Sequence, residues 1–315
     1  MKSVQTHPIR AHPVWKRLAT PQADEAPGDD HRKLTAERLR SQRKAYADRI
    51  MALAGVAPRP GPASEIAAAF ASIPRENFVG RPPWTVFPSR SSTPTISDDP
   101  AVLYQDAVVS LGAALGLNNG QPSLHARCLA ELAPGTGESV IHVGAGTGYY
   151  TTMLAKLVGE SGRVAAYETE SDLAQQARHN LVDFPQVAVH CRSGAEAPLP
   201  PCDVLYVSAS SPEPLAVWLD ALRDHGRLLF PLAPIDETGS MLLVTKQSNA
   251  TFAARFLMSV QFVPCAGTQN AEADRALTAA FRHRNWHKVR SLRRDDHPDG
   301  SCWCAGRGWW LSTEP

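Results

Sequence analysis

The chain has 315 residues, 43% of them hydrophobic and 20% charged, enough for one large or two modest domains with ordinary globular cores. Its 32 Lys and Arg balance 31 Asp and Glu to a formal net charge of +1, which excludes a global field that would draw the molecule to nucleic acid or to a membrane surface. With no apolar run of transmembrane length, no signal-peptide core and six mostly scattered cysteines, the expectation is a cytoplasmic enzyme with reduced thiols and no nucleic-acid or membrane partner.

Residues 1–60 read as an N-terminal tail and an amphipathic helix. The polar, Pro- and His-rich start has too little apolar surface to build a core. From His31 to Leu53, Leu34, Leu39, Ile50 and Leu53 lie among many charges, which predicts the helix. Ala57-Pro-Arg-Pro-Gly-Pro62 interrupts it, and Ser64 opens a short helix over 65–72. In the central part, 61–267, a helix over 123–132 halts at Pro134-Gly135. Strands at 139–143, 163–167, 187–190, 203–208 and 226–231 then alternate with helices at 147–158, 171–181 and 212–223. This alternation predicts an α/β, doubly wound Rossmann-like fold with a parallel sheet covered on both faces. Ser240–Thr245 and Phe256–Val263 predict a hairpin closing that sheet. Residues 268–315 form a C-terminal extension: a basic helix over 274–284, an arginine cluster at Arg290, Arg293 and Arg294, and a Trp- and Cys-rich end. Trp303, Trp309 and Trp310 are expected to pack on the core or to line a substrate groove. His283-x-x-x-His287 and Cys302-x-Cys304 carry metal-ligating groups, but Cys-x-Cys is shorter than the usual ligand spacing and no metal is expected.

The most informative stretch is Val140-Ile-His-Val-Gly-Ala-Gly-Thr-Gly-Tyr-Tyr150, an apolar strand running into a glycine-rich turn and then a helix. Glycines let the backbone approach a ligand closely, and a helix N-terminus favours a polar or anionic group there. About 20 residues on, a second strand ends in Glu168, a carboxylate suited to a ribose diol. Gly144-x-Gly146-x-Gly148 is tighter than the dinucleotide fingerprint. It looks like the first motif of S-adenosylmethionine-dependent methyltransferases, so that cofactor is expected.

Further motifs sharpen the reading. Phe70-Ala-Ser-Ile-Pro-Arg-Glu-Asn-Phe-Val79, Tyr104-Gln-Asp106, Gln121-Pro122 with His125-Ala126, Asp203–Ser210, Gly226-Arg-Leu-Leu-Phe-Pro231 and Phe262-Val-Pro264 occur in this order. Together they resemble the protein-L-isoaspartate (D-aspartate) O-methyltransferase family over roughly residues 65–267. The resemblance implies methylation of an isoaspartyl or aspartyl carboxylate on a protein or peptide, an activity related to protein repair. It also implies that Val143, Gly144, Ala145, Gly146, Thr147 and Gly148 line the methionine and ribose part of the cofactor. Glu168 would take the ribose hydroxyls, Ser193 and Gly194 would sit at the adenine, and His125 would lie beside the cofactor.

Three positions depart from the family pattern. The usual Thr-Ile-Ser, whose serine is regarded as the active-site residue, is Asn118-Asn119-Gly120; the acid of the first motif is His142; and the adenine-side aspartate is Ser193. The amides of Asn118 and Asn119 and an accessible Gly120 N–H are expected to replace the serine as a clamp on the acceptor carboxylate. The alternative is that Asn-Asn-Gly is only a tight turn. His142 is expected near the cofactor, and Ser208 and Ser210 on the substrate side by topology. A dedicated peptide-tailoring methyltransferase, or a cofactor-binding partner subunit without methyl transfer, are the competing readings. Methylation of nitrogen or nucleic acid is disfavoured by the near-neutral charge and by the absence of an Asn/Asp-Pro-Pro-Tyr motif. The acceptor's identity and the oligomeric state are not legible at this level.

Overall fold

The computed structural model describes residues 36–57, 61–89, 93–112, 116–248, 251–283 and 285–315; the expected tail and Leu34 lie outside them. Helix α1 (Ala36–Leu53) buries Tyr46, Ala47, Ile50 and Met51 along one face, while Leu53, expected on that face, is 48% exposed. Helix α2 (Pro62–Ser72) starts earlier than the Ser64 signal suggested. Pro62 takes the first helical position after Gly61, and the Ser64 hydroxyl donates to Gly61 O instead of capping. The chain then makes a four-stranded antiparallel sheet that the pattern did not reveal: β1 (Trp84–Pro88), β2 (Thr95–Ser97), β3 (Ala107–Gly112) and β4 (Leu117–Asn118), in the order β2-β1-β3-β4. Its β2 and β4 have only three and two residues, and proline and glycine punctuate the stretch, so no repeated strand pattern shows. Helix α3 (Pro122–Leu132) stops where Ala133 adopts a left-handed φ of 43° ahead of Pro134.

The remaining elements build one ten-stranded sheet. They are β5 (Ser139–Val143), α4 (Tyr149–Val158), β6 (Arg163–Glu168), α5 (Ser171–Asn180), β7 (Val187–Cys191), β8 (Cys202–Val207), α6 (Ala216–Ala221), β9 (Leu222–Leu232), β10 (Gly239–Lys246), β11 (Phe252–Val260), α7 (Ala271–Arg282), β12 (Ser291–Arg293), β13 (Cys302–Gly306) and β14 (Trp309–Ser312). Their order is β13-β14-β12-β11-β10-β9-β8-β5-β6-β7. From β9 to β7 neighbours run parallel, and from β9 outward to β13 they run antiparallel. The expected α/β doubly wound fold is therefore present. The winding reverses at β5, with β6 and β7 on one side and β8 and β9 on the other. That switch point opens a crevice at the carboxyl ends of β5 and β8.

Three expectations need correction. The helix expected over 212–223 is only α6, because Pro212 and Pro214 hold the first residues out of helical conformation and Leu222 already belongs to β9. The β10–β11 hairpin does not close the sheet: Phe252 and Ala253 pair with Leu292 and Ser291, and β14 and β13 follow. Helix α7 starts before the expected residue 274 because the Asn270 side chain accepts from Glu272 N and Ala273 N.

One face of the sheet buries Tyr46, Ile50, Phe70, Leu129, Met153 and Tyr206 under α1–α4. The other buries Ile141, Leu205, Trp218, Phe230, Leu292 and Trp309, a cluster that includes residues of α6, α7 and the C-terminal strands. Among the described residues no helix is long and apolar enough to cross a membrane.

Candidate active site

At the end of β5 the chain turns through Gly144, Gly146 and Gly148, with φ angles of 76°, 55° and 94°. At Gly148 the left-handed φ is what calls for glycine; a Cβ there would also stand 2.9 Å from Cδ1 of the Leu181 side chain, which would have to shift. Glu168 ends β6 beside this turn. Its Oε2 accepts from Gly146 N at 2.7 Å, and its Oε1 accepts from Thr169 N at 2.8 Å and Glu170 N at 3.0 Å. Three backbone donors thus fix the carboxylate, and Oε2 keeps a lone-pair site for a ligand hydroxyl.

Turn and carboxylate open on a cavity of about 610 Å³, a size typical of small-ligand and cofactor sites. Val143, Gly144, Ala145, Gly146, Thr147, Glu168, Ser193 and Gly194 line one part of it. Ser193 shapes the wall; its hydroxyl does not stay free for a base. That hydroxyl donates to Ala266 O at 2.7 Å and accepts from Ala195 N at 3.0 Å, tying the loop after β7 to the segment after β11. At Gly194 a Cβ would meet Val143 Cγ2 at 2.5 Å. Gly148 and His142 do not line the cavity. Gly148 starts α4 behind it, and His142, 1% exposed, points into the layer below.

Asn118, Asn119 and Gly120 line the same cavity from the small sheet. The Gly120 N–H, expected to be accessible, is instead taken up by Asn118 Oδ1 at 2.9 Å. Gly120 has φ 64°, and a Cβ there would fall 2.2 Å from His125 Nε2. The imidazole of His125 cannot easily yield, because it stacks on Tyr150 at 3.6 Å and its Nδ1 shares a 2.7 Å hydrogen bond with the Tyr206 hydroxyl. A serine at position 120 has no room while His125 keeps this place. Burial, with His142 and Arg75 nearby, holds His125 well below the usual histidine range and so neutral.

Asn119 is buried, and its Oδ1 accepts from Arg75 Nε at 3.2 Å, which leaves its Nδ2 amide as the free donor. Arg75 is the residue that sequence reasoning missed. It is fully buried and donates to Ala107 O at 2.7 Å, Leu103 O at 2.9 Å, Gly120 O at 3.3 Å and Gln105 O at 3.4 Å. One guanidinium therefore gathers β3, the Leu103–Gln105 turn and the Asn119–Gly120 loop. An arginine set among Ile73, Pro74 and Phe78 was the available signal. The neighbouring motif residues also serve as scaffold. Tyr104 bonds the Glu76 carboxylate, and Asp106 accepts from Gln121 Nε2, Ser123 N and Ser123 Oγ at 2.8, 2.9 and 2.8 Å, anchoring the start of α3.

The C-terminal aromatics lie elsewhere. β12 pairs with Phe252 and Ala253, at the end of β11 remote from the cavity, and no described residue beyond Ala266 lines it. Trp303 packs on Phe256 and Phe281 at 5.2 Å from each ring, so the expected groove role does not hold while the packing role does. Arg294 pairs with Asp220 at 2.6 Å and Arg293 lies over Trp310.

A family model described as Protein-L-isoaspartate(D-aspartate) O-methyltransferase (PCMT) matches residues 61–270. Similar curated proteins include the protein-L-isoaspartate O-methyltransferase of Brucella anthropi, 31% identical over 166 residues, covering 49% of this chain and 74% of that one. Protein-L-isoaspartate O-methyltransferase 1 of Archaeoglobus fulgidus is 27% identical over 243 residues, with 76% and 94% covered. A solved protein-L-isoaspartate O-methyltransferase superposes with a TM-score of 0.57 at 22% identity, over 77% of this chain and 69% of the other. A Plasmodium falciparum protein provisionally assigned the same activity, in complex with S-adenosyl-L-homocysteine, superposes with a TM-score of 0.55 at 18% identity, over 71% and 97%. At these identities the two structures establish the fold. The matched segment contains Arg75 and the whole cavity wall, and the chain is an S-adenosylmethionine-dependent methyltransferase that belongs to the protein-L-isoaspartate (D-aspartate) O-methyltransferase family.

Proposed function

We propose that the enzyme esterifies the free α-carboxylate of an isoaspartyl residue, or the side-chain carboxylate of an aspartyl residue, in a protein or peptide. The observation that carries this is the single cavity in which the glycine turn and Glu168 meet Asn119, its amide aimed by a buried arginine. The wall residues fit the cofactor: Gly144, Ala145, Gly146 and Thr147 offer close backbone approach, and Glu168 offers a fixed acceptor for hydroxyls. S-adenosylmethionine supplies a methyl group on a sulfonium, so that a carboxylate oxygen forms the new C–O bond while the electron pair of the broken S–C bond stays on sulfur. The carboxylate is already ionised at neutral pH, with a reference pKa near ~4. No proton leaves, and the chain needs no general base, in keeping with neutral buried histidines. Its own residues position the acceptor and exclude water.

Catalysis is assigned to residues 61–267, with 1–60 and 268–315 as extensions, since the described cavity wall runs from Val108 to Ala266. A cytoplasmic location is part of the same reading, supported by the scattered free cysteines. The test is incubation with methyl-labelled S-adenosylmethionine and an isoaspartyl peptide beside its aspartyl counterpart, trapping base-labile ester. Label in the isoaspartyl peptide is the expected result and ties the activity to repair. No label in either peptide while the cofactor binds would overturn generic repair and favour a dedicated peptide acceptor.

A further inference from the structure

Ser208 follows β8 and lines the cavity beside the glycine turn. Its backbone N–H donates to Val143 O at 2.8 Å, and a Cβ on Gly144 would lie 3.6 Å from the Ser208 Cβ. Directly behind it stands His142. The Nε2 of His142 is 3.1 Å from Ser208 Oγ, its Nδ1 is 2.9 Å from Thr151 Oγ1, and its ring stacks on Tyr206 with centroids 5.4 Å apart and planes 7° from parallel. Three neighbours thus hold the imidazole in one orientation. Burial pushes it down to about 3, so it is neutral and has one donor and one acceptor nitrogen. Burying a polar ring in a strand is costly unless both nitrogens are satisfied, and here one of the two partners faces the cavity.

We propose that the Ser208 hydroxyl, oriented by His142, hydrogen-bonds the acceptor carboxylate oxygen that does not receive the methyl group. In the tautomer that serves this role, the Thr151 hydroxyl donates to Nδ1 and the Nε2–H donates to Ser208 Oγ. The serine then keeps its O–H as a donor, which turns from the neighbouring Tyr206 hydroxyl into the cavity when an acceptor carboxylate is bound. The inference rests on the carboxylate-transfer reading. Because no proton leaves in that reaction, a useful group is a fixed donor that holds one oxygen and leaves the other free to react. Asn119 Nδ2 approaches from the small sheet, and Ser208 approaches from the carboxyl end of β8, so two donors reach the cavity from separate elements. Ser208 is a catalytic residue in this scheme and His142 a positioning residue.

The test compares wild type with Ser208→Ala, Ser208→Thr, His142→Phe and the Ser208→Ala/His142→Phe double variant. His142→Phe keeps a ring against Tyr206 and removes both hydrogen bonds. Two quantities are measured: S-adenosylhomocysteine affinity by calorimetry, and isoaspartyl-peptide binding to the S-adenosylhomocysteine-loaded protein alongside methyl transfer. Ser208→Ala and His142→Phe should each lower acceptor kcat/KM and peptide affinity about tenfold at unchanged S-adenosylhomocysteine affinity. Ser208→Thr should retain most activity, and the double variant should be no worse than Ser208→Ala, because both changes silence the same hydroxyl. Full acceptor affinity in Ser208→Ala, effects confined to S-adenosylhomocysteine affinity, or additive losses would each overturn the proposal. A wild type that binds the peptide without methylating it would sink the transfer reading alone, and a Ser208-dependent loss of that binding would still support the contact. A wild type that binds neither isoaspartyl nor aspartyl peptide overturns both.

Discussion

Replacing Arg75 with methionine removes the cation at the centre of the acceptor loop and leaves its acceptors behind. Two of the five hydrogen bonds are short, to Ala107 O at 2.7 Å and Leu103 O at 2.9 Å, and each charge-assisted bond contributes about 1.5–3 kcal/mol. Deleting a buried charge also relieves desolvation, which amounts to several kcal/mol and can make an apolar replacement neutral when both partners are exchanged together. Here four of the five partners are backbone carbonyls that stay in place, and each one left unsatisfied costs about 1–3 kcal/mol. The carbonyl cost wins, and the expected net loss is about 3–5 kcal/mol, a large fraction of a typical stability of roughly 5–15 kcal/mol. The midpoint of thermal unfolding should fall by roughly 10 °C. Arg75→Lys keeps the charge without the fork and should fall between wild type and Arg75→Met. Urea unfolding at matched slope measures the loss, and transfer assays on the folded fraction should show a raised acceptor KM because Asn119 is no longer aimed. An Arg75→Met enzyme within about 1 kcal/mol of wild type and with an unchanged acceptor KM would refute this account.

Other substitutions test the two sides of the cavity. Gly120→Ser, which restores the residue usual in the family, should reduce methyl transfer, because its Cβ would fall 2.2 Å from His125 Nε2 at φ 64°. Overpacking should cost about 1–3 kcal/mol, and left-handed strain about 1–2 kcal/mol more; unfolding and transfer measured together check this, and a gain in activity would contradict it. Glu168→Gln presents an amide to backbone donors from Gly146, Thr169 and Glu170, so S-adenosylmethionine affinity should weaken at least about tenfold, as calorimetry would read. Burial depresses both His125 and His142, so below about pH 6.5 the unfolded chain binds protons that the folded chain refuses. Their neutral burial carries no penalty above that pH. As acid is added, stability falls by up to about 1.4 kcal/mol per pH unit for each histidine. The His142 contribution levels off only once the folded pKa of about 3 is passed. Denaturant midpoints at pH 7 and 5 should show the decline, and His142→Phe should remove about one proton's worth of it.

How far the chain could be read without coordinates depended on the range of the interaction involved. The strands and helices from β5 to β8, the glycine turn and Glu168 were legible because each rests on a local property. Hydrophobic period reports an element, a positive φ demands glycine, and an acid closes a strand at a fixed distance from the turn. The helix expected over 212–223 failed on local chemistry too, where two prolines outweighed a helical pattern. By contrast, β2, β4, β12 and β14 have four residues or fewer, and β1, β3 and β13, at least as long as β5, follow no strand–helix alternation; the place of all seven in a sheet is decided by the neighbours they pair with.

The site shows the same division. The Asn-Asn-Gly segment stood out in the chain, but its hydrogen bonding and packing were set by residues far along it. Arg75 lies 44 positions from the Asn119 it holds, and His142 lies 66 from the Ser208 it orients. Tertiary packing alone used up the Gly120 N–H, excluded a side chain at that position by bringing up His125, and took His142 out of the cavity wall. A backbone turn is specified by the residues that form it. A hydrogen bond across a folded core depends on which strands lie side by side, and no local pattern carries that information.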